Sequence, residues 1–301
     1  MGINKYDAEV VLYAKKKFKV DFESTLTLGR LTRYFNLNEI QTVLAKFNFH
    51  GNSVSSLVSS DFTEPFFELL GATATESLDA SDYEKASIIH DLNNPLPPHL
   101  NQKFSSVIDG GTLEHVFNFP VAIQSCMNAL REGGFFIGCI PGNNQMGHGF
   151  YQFSPELYYR IFSEQNGFKT HKVLIRVADK WFEAMDPLVM KSRIEVANGL
   201  PIFIYVIAEK TKHISTFDMP QQSDYVTSWA IAESVKTDRK RNEDSGLKHN
   251  YRKLMPKRIK DLVRNFYDLF IDKRIDTHEL GLINPRHFKQ IDLAKDAIQL
   301  E

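Results

Sequence analysis

Short apolar runs alternate along this chain with longer stretches of helical period, which is the pattern of parallel strands joined by crossover helices. Residues 25–28 form a first buried run that Gly29 terminates, and residues 36–47 then place Leu37, Ile40, Leu44 and Phe47 at helical spacing. A second helical stretch, 54–70, is interrupted by Pro65 and ends at Gly71. Three short strands follow at 74–78, 87–90 and 105–108, each running into an aspartate: Asp79, Asp91 and Asp109. Ligands of open α/β sheets sit beyond the carboxyl ends of the strands, so these aspartates are expected on one rim.

Further along, Pro120 suits the first turn of a helix, Ile123, Met127 and Leu130 supply its apolar stripe, and Gly133-Gly134 is the expected stop. Residues 135–140 read as a fifth strand, and 155–165 as a helix that Ser154 caps and Gly167 ends. The runs 172–177 and 201–208 flank a polar and aromatic insertion and are expected to pair as an antiparallel edge. The fold class is therefore α/β: a Rossmann-like, doubly wound, mostly parallel seven-stranded sheet with an antiparallel last strand, plus a helical C-terminal region. No strand pattern of comparable strength appears after residue 213. This divides the chain into a domain at 1–213 and a linker with a basic helical region at 214–301.

With 43% hydrophobic and 24% charged residues the chain has ordinary globular composition, and 301 residues suffice for one α/β domain with an appendage. The opening residues lack the basic stretch and apolar run of a signal peptide, which favours a cytoplasmic protein. Gly2 stands where a myristoylation signal begins, but Tyr6 occupies the position that signal reserves for Ser or Thr. Cys126 and Cys139 have no metal-ligand spacing and read as core residues. A net charge of −1 gives no overall attraction to nucleic acid, so no nucleic-acid partner is expected.

Residues 104–141, FSSVIDGGTLEHVFNFPVAIQSCMNALREGGFFIGCIP, resemble the fourth-to-fifth-strand region of class I S-adenosylmethionine-dependent methyltransferases. The likeness lies in the order of an aspartate-bearing strand, a Leu-Glu-His turn, a helix, a Gly-Gly pair and an apolar strand. It extends upstream through 78–97 and downstream through 147–168, and loosely over 24–210. The resemblance implies S-adenosylmethionine as cofactor, with Asp79 accepting from the ribose hydroxyls and Asp91, with the amide of Leu92, at the adenine. It implies that Asp109, Gly110 and Gly111 bring backbone close to the cofactor, and that Glu114 and His115 lie on the loop facing the methyl group. The first strand departs from the family pattern, because LTLGRLT at 26–32 retains only Gly29 of the usual glycine-rich turn. Arg30 is the candidate substitute, pairing with the methionine carboxylate.

Methyl transfer requires alignment, exclusion of water and in some cases removal of a proton from the acceptor, and it needs no metal. The segment 143–153, NNQMGHGFYQF, follows the fifth strand and combines glycine, histidine and aromatics in a loop able to close over a substrate. Histidine, with a reference pKa of about 6.5, is suited to take a proton near neutrality, which ranks His148 ahead of His115 as general base. Tyr151 is the candidate for orienting the acceptor. The expected activity is transfer of a methyl group to a hydroxyl or amine of a small molecule or glycan. The alternative is an inactive protein of the same fold that serves as a binding or scaffolding partner.

Residues 236–274 are more basic than the rest, with Arg239, Lys240, Arg241, Lys257, Arg258 and Lys260 among them, and Ile259, Leu262, Phe266 and Phe270 form an apolar stripe after Pro256. Such a segment suits peripheral contact with a membrane or an anionic substrate, or a helix docked on the domain with solvated lysines.

Overall fold

The computed structural model describes residues 1–49, 54–229, 281–282 and 284–298. Its elements are β1 (Gly2–Ile3), α1 (Lys5–Phe18), β2 (Ser24–Leu28), β3 (Thr32–Arg33), α2 (Leu37–Lys46), α3 (Glu64–Leu69), β4 (Ala74–Asp79) and β5 (Ile88–Ile89). They continue with β6 (Phe104–Gly110), α4 (Phe119–Ala129), β7 (Leu130–Pro141), α5 (Pro155–Ile161), β8 (Phe168–Val177), β9 (Lys180–Ala184), α6 (Pro187–Met190) and β10 (Ile202–Lys210). Beyond residue 213, β11 (Phe288–Ile291) and a terminal helix, Leu293–Ile298, complete the described chain.

Nine strands make one mixed sheet in the order β11-β9-β8-β10-β7-β6-β2-β4-β5. From β5 to β7 the neighbours are parallel, whereas β10 runs antiparallel to both β7 and β8. The sheet is thus larger than the seven strands expected. The antiparallel strand β10 lies inside it, because β9 and β11 extend the sheet beyond β8. One strand comes from the segment after residue 213. The basic stretch 236–274 and its apolar stripe lie outside the described residues.

Period-2 alternation within the central strands separates two apolar layers. In β7, Phe136 and Ile140 face one cluster while Phe135, Ile137 and Cys139 face the other, and in β10 Ile202, Ile204 and Val206 oppose Phe203, Tyr205 and Ile207. The first layer is completed by α4 and α5 through Ile123, Cys126, Tyr158 and Ile161, and the second by α1, α2 and α3 through Val11, Ile40 and Phe67. Helices on both faces leave the carboxyl ends of the parallel strands as an open rim. No described helix is long and apolar enough to cross a membrane.

The helix α1 has no counterpart in the hydrophobic pattern. Asn4 caps it by accepting from the Tyr6 and Asp7 amides while Asp7 accepts from the Asn4 amide, and every residue from Asp7 to Ala14 is buried. Its burial on all sides erases the one-sided stripe that would mark a surface helix. Helix α4 stops at Ala129, before Gly133-Gly134, and the chain passes directly into β7. Lys210, at the end of β10, donates to the carbonyls of Met127 and Leu130 at 2.8 and 2.7 Å, doing for the helix end what a left-handed glycine does elsewhere.

Burial pushes the Lys210 ammonium down to about 8 from its ordinary 10.5. Between those values the unfolded chain binds more protons at this position than the folded one, so stability rises with pH across the window. Wild-type protein is therefore expected to gain stability relative to Lys210→Met on going from pH 8 to pH 10.5. Urea denaturation at the two pH values measures it, and a constant difference would contradict the burial argument.

Candidate active site

The rim is built by turns that follow β2, β4, β5 and β6. Gly29 closes β2 with φ of 73°, and its amide donates to the Leu78 carbonyl at 2.7 Å, tying the end of β2 to that of β4. Gly111 follows β6 with φ of 89°, a conformation that turns the chain sharply and that glycine adopts without strain. A cavity of about 200 Å³ lies beyond these strand ends, lined by Leu78, Asp79, His90, Asp91, Leu92 and Thr112 together with Met1, His115 and Val116. It sits where the strand order reverses between β2 and β6, the ligand position of doubly wound sheets.

Asp79 and Asp91 line this cavity together, as the strand-end pattern requires. Asp79 accepts from the Ser81 amide at 3.1 Å through one carboxylate oxygen. Asp91 accepts from both the amide and the side-chain nitrogen of Asn93, and these hydrogen bonds hold its carboxyl below the usual range. Leu92 is a buried wall of the same cavity.

Three other sequence candidates stand elsewhere. The Arg30 guanidinium is committed to Glu64 at 2.6 Å and the Glu84 carbonyl at 3.2 Å, and it stacks 3.9 Å from the Phe62 ring centre. Arg30 is not among the residues that line the cavity. Asp109 is buried under the rim, accepting from the Thr112 amide at 2.8 Å, and burial followed by the nearby Glu114 charge pushes its carboxyl well up. Its second oxygen has no hydrogen-bond partner among the described residues. Gly110 is packed against Leu31 and the Gly2 carbonyl, with no room for a side chain.

Residues 1–3 occupy the glycine corner. Strand β1 pairs with β3, and this sets the Met1 methyl group 2.8 Å from where a Cβ on Gly29 would stand. Thr112 donates to the Leu28 carbonyl at 2.6 Å, and its hydroxyl oxygen lies 2.8 Å from the Met1 sulfur. No local sequence signal announces this arrangement, since it depends on a pairing of two-residue strands.

His115, which lines the cavity, stands in a cluster with Glu114 and His148. Glu114 is fully buried, and burial pushes its carboxyl up to about 7. Its Oε1 lies 3.1 Å from His148 Nε2 and 4.0 Å from His115 Nε2, whereas its Oε2 has no hydrogen-bond partner among the described residues. Burial and the neighbouring His148 lower the pKa of His115. The loop 143–153 hangs on the same glutamate, because the Phe150 and Tyr151 amides donate to the Glu114 carbonyl at 2.8 and 3.3 Å. Tyr151 donates its hydroxyl hydrogen to the Phe117 carbonyl at 2.6 Å, which leaves the phenolic oxygen as an acceptor only.

Gly149 makes this approach possible. Its φ is 73°, and a Cβ there would lie 2.8 Å from the Glu114 carbonyl oxygen. Gly149→Ala is expected to cost more than about 1 kcal/mol and to raise hydrogen exchange at the Phe150 and Tyr151 amides, which mass spectrometry can read. Unchanged exchange would mean that the loop is held by other contacts.

No family model matches the chain, and no curated protein matches it. Among solved structures, it is similar to the MccD protein at 12% identity and a TM-score of 0.39, over 68% of this chain and 96% of that one. It is similar to the methyltransferase CalH in complex with SAH at 9% identity and a TM-score of 0.37, over 68% of this chain and 57% of that one. It is also similar to the 1,6-didemethyltoxoflavin-N1-methyltransferase of Burkholderia thailandensis, crystallised with 1,6-didemethyltoxoflavin and S-adenosylhomocysteine, at 12% identity and a TM-score of 0.37, over 69% of this chain and 78% of that one.

Proposed function

We propose that this protein is an S-adenosylmethionine-dependent methyltransferase that acts on a hydroxyl or amine of a small molecule or glycan. One observation carries the reading: a cavity at the strand-order reversal gathers Asp79, Asp91, Leu92 and His115, and His115 clusters with Glu114 and His148. The resemblance of residues 104–141 to class I methyltransferases points the same way.

The donor set fits the adenosyl half of the cofactor. Asp79 would hold the ribose hydroxyls, one oxygen of its carboxylate being engaged by Ser81, and Asp91 with the Leu92 amide would take the adenine edge. Gly29, Gly110 and Gly111 would flank the amino-acid half, and Met1 and Gly2 must shift for that half to enter. When bound, the cofactor supplies a methyl group on a positively charged sulfur.

His148 would accept the proton that the acceptor loses. With Glu114 accepting from Nε2–H, the tautomer is fixed and Nδ1 is left as the basic nitrogen. The acceptor's oxygen or nitrogen would be the nucleophile towards that methyl group, held beside His148. The acceptor proton goes to His148, and the Glu114 carboxylate stabilises the resulting imidazolium. His115 and the Tyr151 oxygen would position the acceptor.

Calorimetry with S-adenosylmethionine and with its demethylated product tests the proposal. Binding of either to folded protein is expected, and absence of both would favour the non-catalytic alternative.

A further inference from the structure

We infer that Glu114, His115 and His148 form a binding site for a divalent transition-metal ion of the Zn²⁺ or Co²⁺ type beside the cavity that His115 lines. The inference deepens the methyltransferase reading and rests on it for the metal's purpose, while the site itself is argued from geometry.

Among the described residues, these three offer one ligand atom each, all within 4.8 Å of one another. A tetrahedral ion with bonds of about 2.0–2.1 Å to imidazole and carboxylate holds its ligand atoms roughly 3.3 Å apart. Glu114 Oε1 to His148 Nε2 is 3.1 Å, and Glu114 Oε1 to His115 Nε2 is 4.0 Å. The His115 side chain is 47% exposed, so a small swing closes the wider gap without disturbing the core. The two imidazole rings stand 5.2 Å apart between centroids, tilted by 56°, as two ligands approaching one point from different sides require.

A second observation points to a cation. Glu114 is fully buried, its Oε1 faces the two imidazoles, and among the described residues its Oε2 has no hydrogen-bond partner. A buried carboxylate with an oxygen left unsatisfied is costly, and an ion bound beside it would relieve that cost. Two imidazoles and one carboxylate suit zinc and its first-row neighbours, whereas magnesium and calcium take oxygen ligands. Three protein ligands also leave a coordination position open towards solvent, since about half of the His148 side chain is exposed.

That open position gives the metal its role. An acceptor hydroxyl bound there would lose its proton to solvent more readily, as metal-bound water does, and the resulting oxygen would be held beside the cavity that His115 lines. Nε2 of His148 would then be a metal ligand, and metal-lowered acidity would replace proton acceptance by the imidazole.

The test uses the full, tag-free chain, stripped with a chelator and titrated with Co²⁺ while visible absorption is followed. Expected are one-to-one uptake with the intense bands of a four- or five-coordinate ion, displacement by Zn²⁺, and affinity reduced by more than about 100-fold in both His115→Ala and His148→Ala, beyond the 10–100-fold typical of losing an outer partner. Glu114→Gln retains a polar group of the same size and is expected to weaken binding by a similar factor, with circular dichroism checking that each variant is folded. No uptake by folded wild-type protein overturns the proposal, as does uptake that persists in the double histidine variant. Calorimetry with S-adenosylmethionine on the metal-free chain separates the two readings. Cofactor binding without Co²⁺ uptake sinks the metal site alone, while Co²⁺ uptake without cofactor binding upholds the metal site and removes the methyltransferase.

Discussion

Asp79→Ala is expected to weaken binding of S-adenosylmethionine and of its demethylated product by about 1.5–3 kcal/mol, which is roughly 10- to 150-fold in Kd. The range is that of hydrogen bonds to a charged group. Asp79 sits at the end of β4 inside the cavity, and one of its oxygens already accepts from Ser81, so the remaining capacity is what a ribose would use. Asp79→Asn keeps the shape and one acceptor oxygen, so a smaller loss is expected from it. Calorimetry on the two variants measures both numbers. Equal affinity in wild type and Asp79→Ala would place the ribose elsewhere, even if the cofactor binds.

A second large effect is expected far from the cavity. Tyr205 donates to Asp7 at 2.8 Å, and Arg176 contacts the Tyr205 hydroxyl at 3.3 Å and donates to the Ala178 carbonyl at 2.6 Å. The Arg176 guanidinium also lies over the rings of Tyr6 and Phe203, at 4.2 and 4.6 Å from their centres. All three members of the chain Asp7–Tyr205–Arg176 are buried, and Asp7 also closes the cap of α1 by accepting from the Asn4 amide. Asp7→Ala removes the reciprocal half of the capping box and leaves a buried hydroxyl and a buried cation short of a partner. A loss of about 3 kcal/mol is expected, given that breaking a buried pair costs about 3–5 kcal/mol and that the charges here are linked through a hydroxyl. At roughly 2–4 °C per kcal/mol, Tm should fall by about 6–12 °C in calorimetric unfolding. A change within about 1 °C would show that the network is structurally idle.

The central strands were legible because their signal is local. Residues 25–28, 74–78, 105–108 and 135–140 are short strand-like runs, the first three stopped by Gly29, Asp79 and Asp109, and they became β2, β4, β6 and the core of β7. The helix α2 was equally plain, since Asn36 and Glu39 form a capping box ahead of its apolar stripe. Helix α1 was hidden because burial of its middle removes periodicity, β11 because it is a short edge strand whose partner lies far along the chain, and β9 because it is a short strand within the polar and aromatic insertion. The helix predicted at 155–165 is shorter, ending at Ile161, and Ser154 makes no capping bond.

The candidate site divides along the same line. Asp79, Asp91 and Leu92 could be placed from strand ends alone. Arg30 was open to a different reading because its partner, Glu64, stands 34 residues away, on an element whose packing no local pattern reveals. Glu114 and His148 are also 34 residues apart, and their contact depends on a left-handed turn at Gly149 that folds the loop back on the glutamate. Candidates were readable as residue types in a loop, and their mutual geometry was not.

The suspension of loop 143–153 from the Glu114 carbonyl has a mechanical result. Anything that lifts the loop outward also carries the imidazole of His148 away from the buried carboxylate, because both contacts converge on one residue. On the proposed methyltransferase reading, proton acceptance by His148 therefore depends on the loop being seated on Glu114.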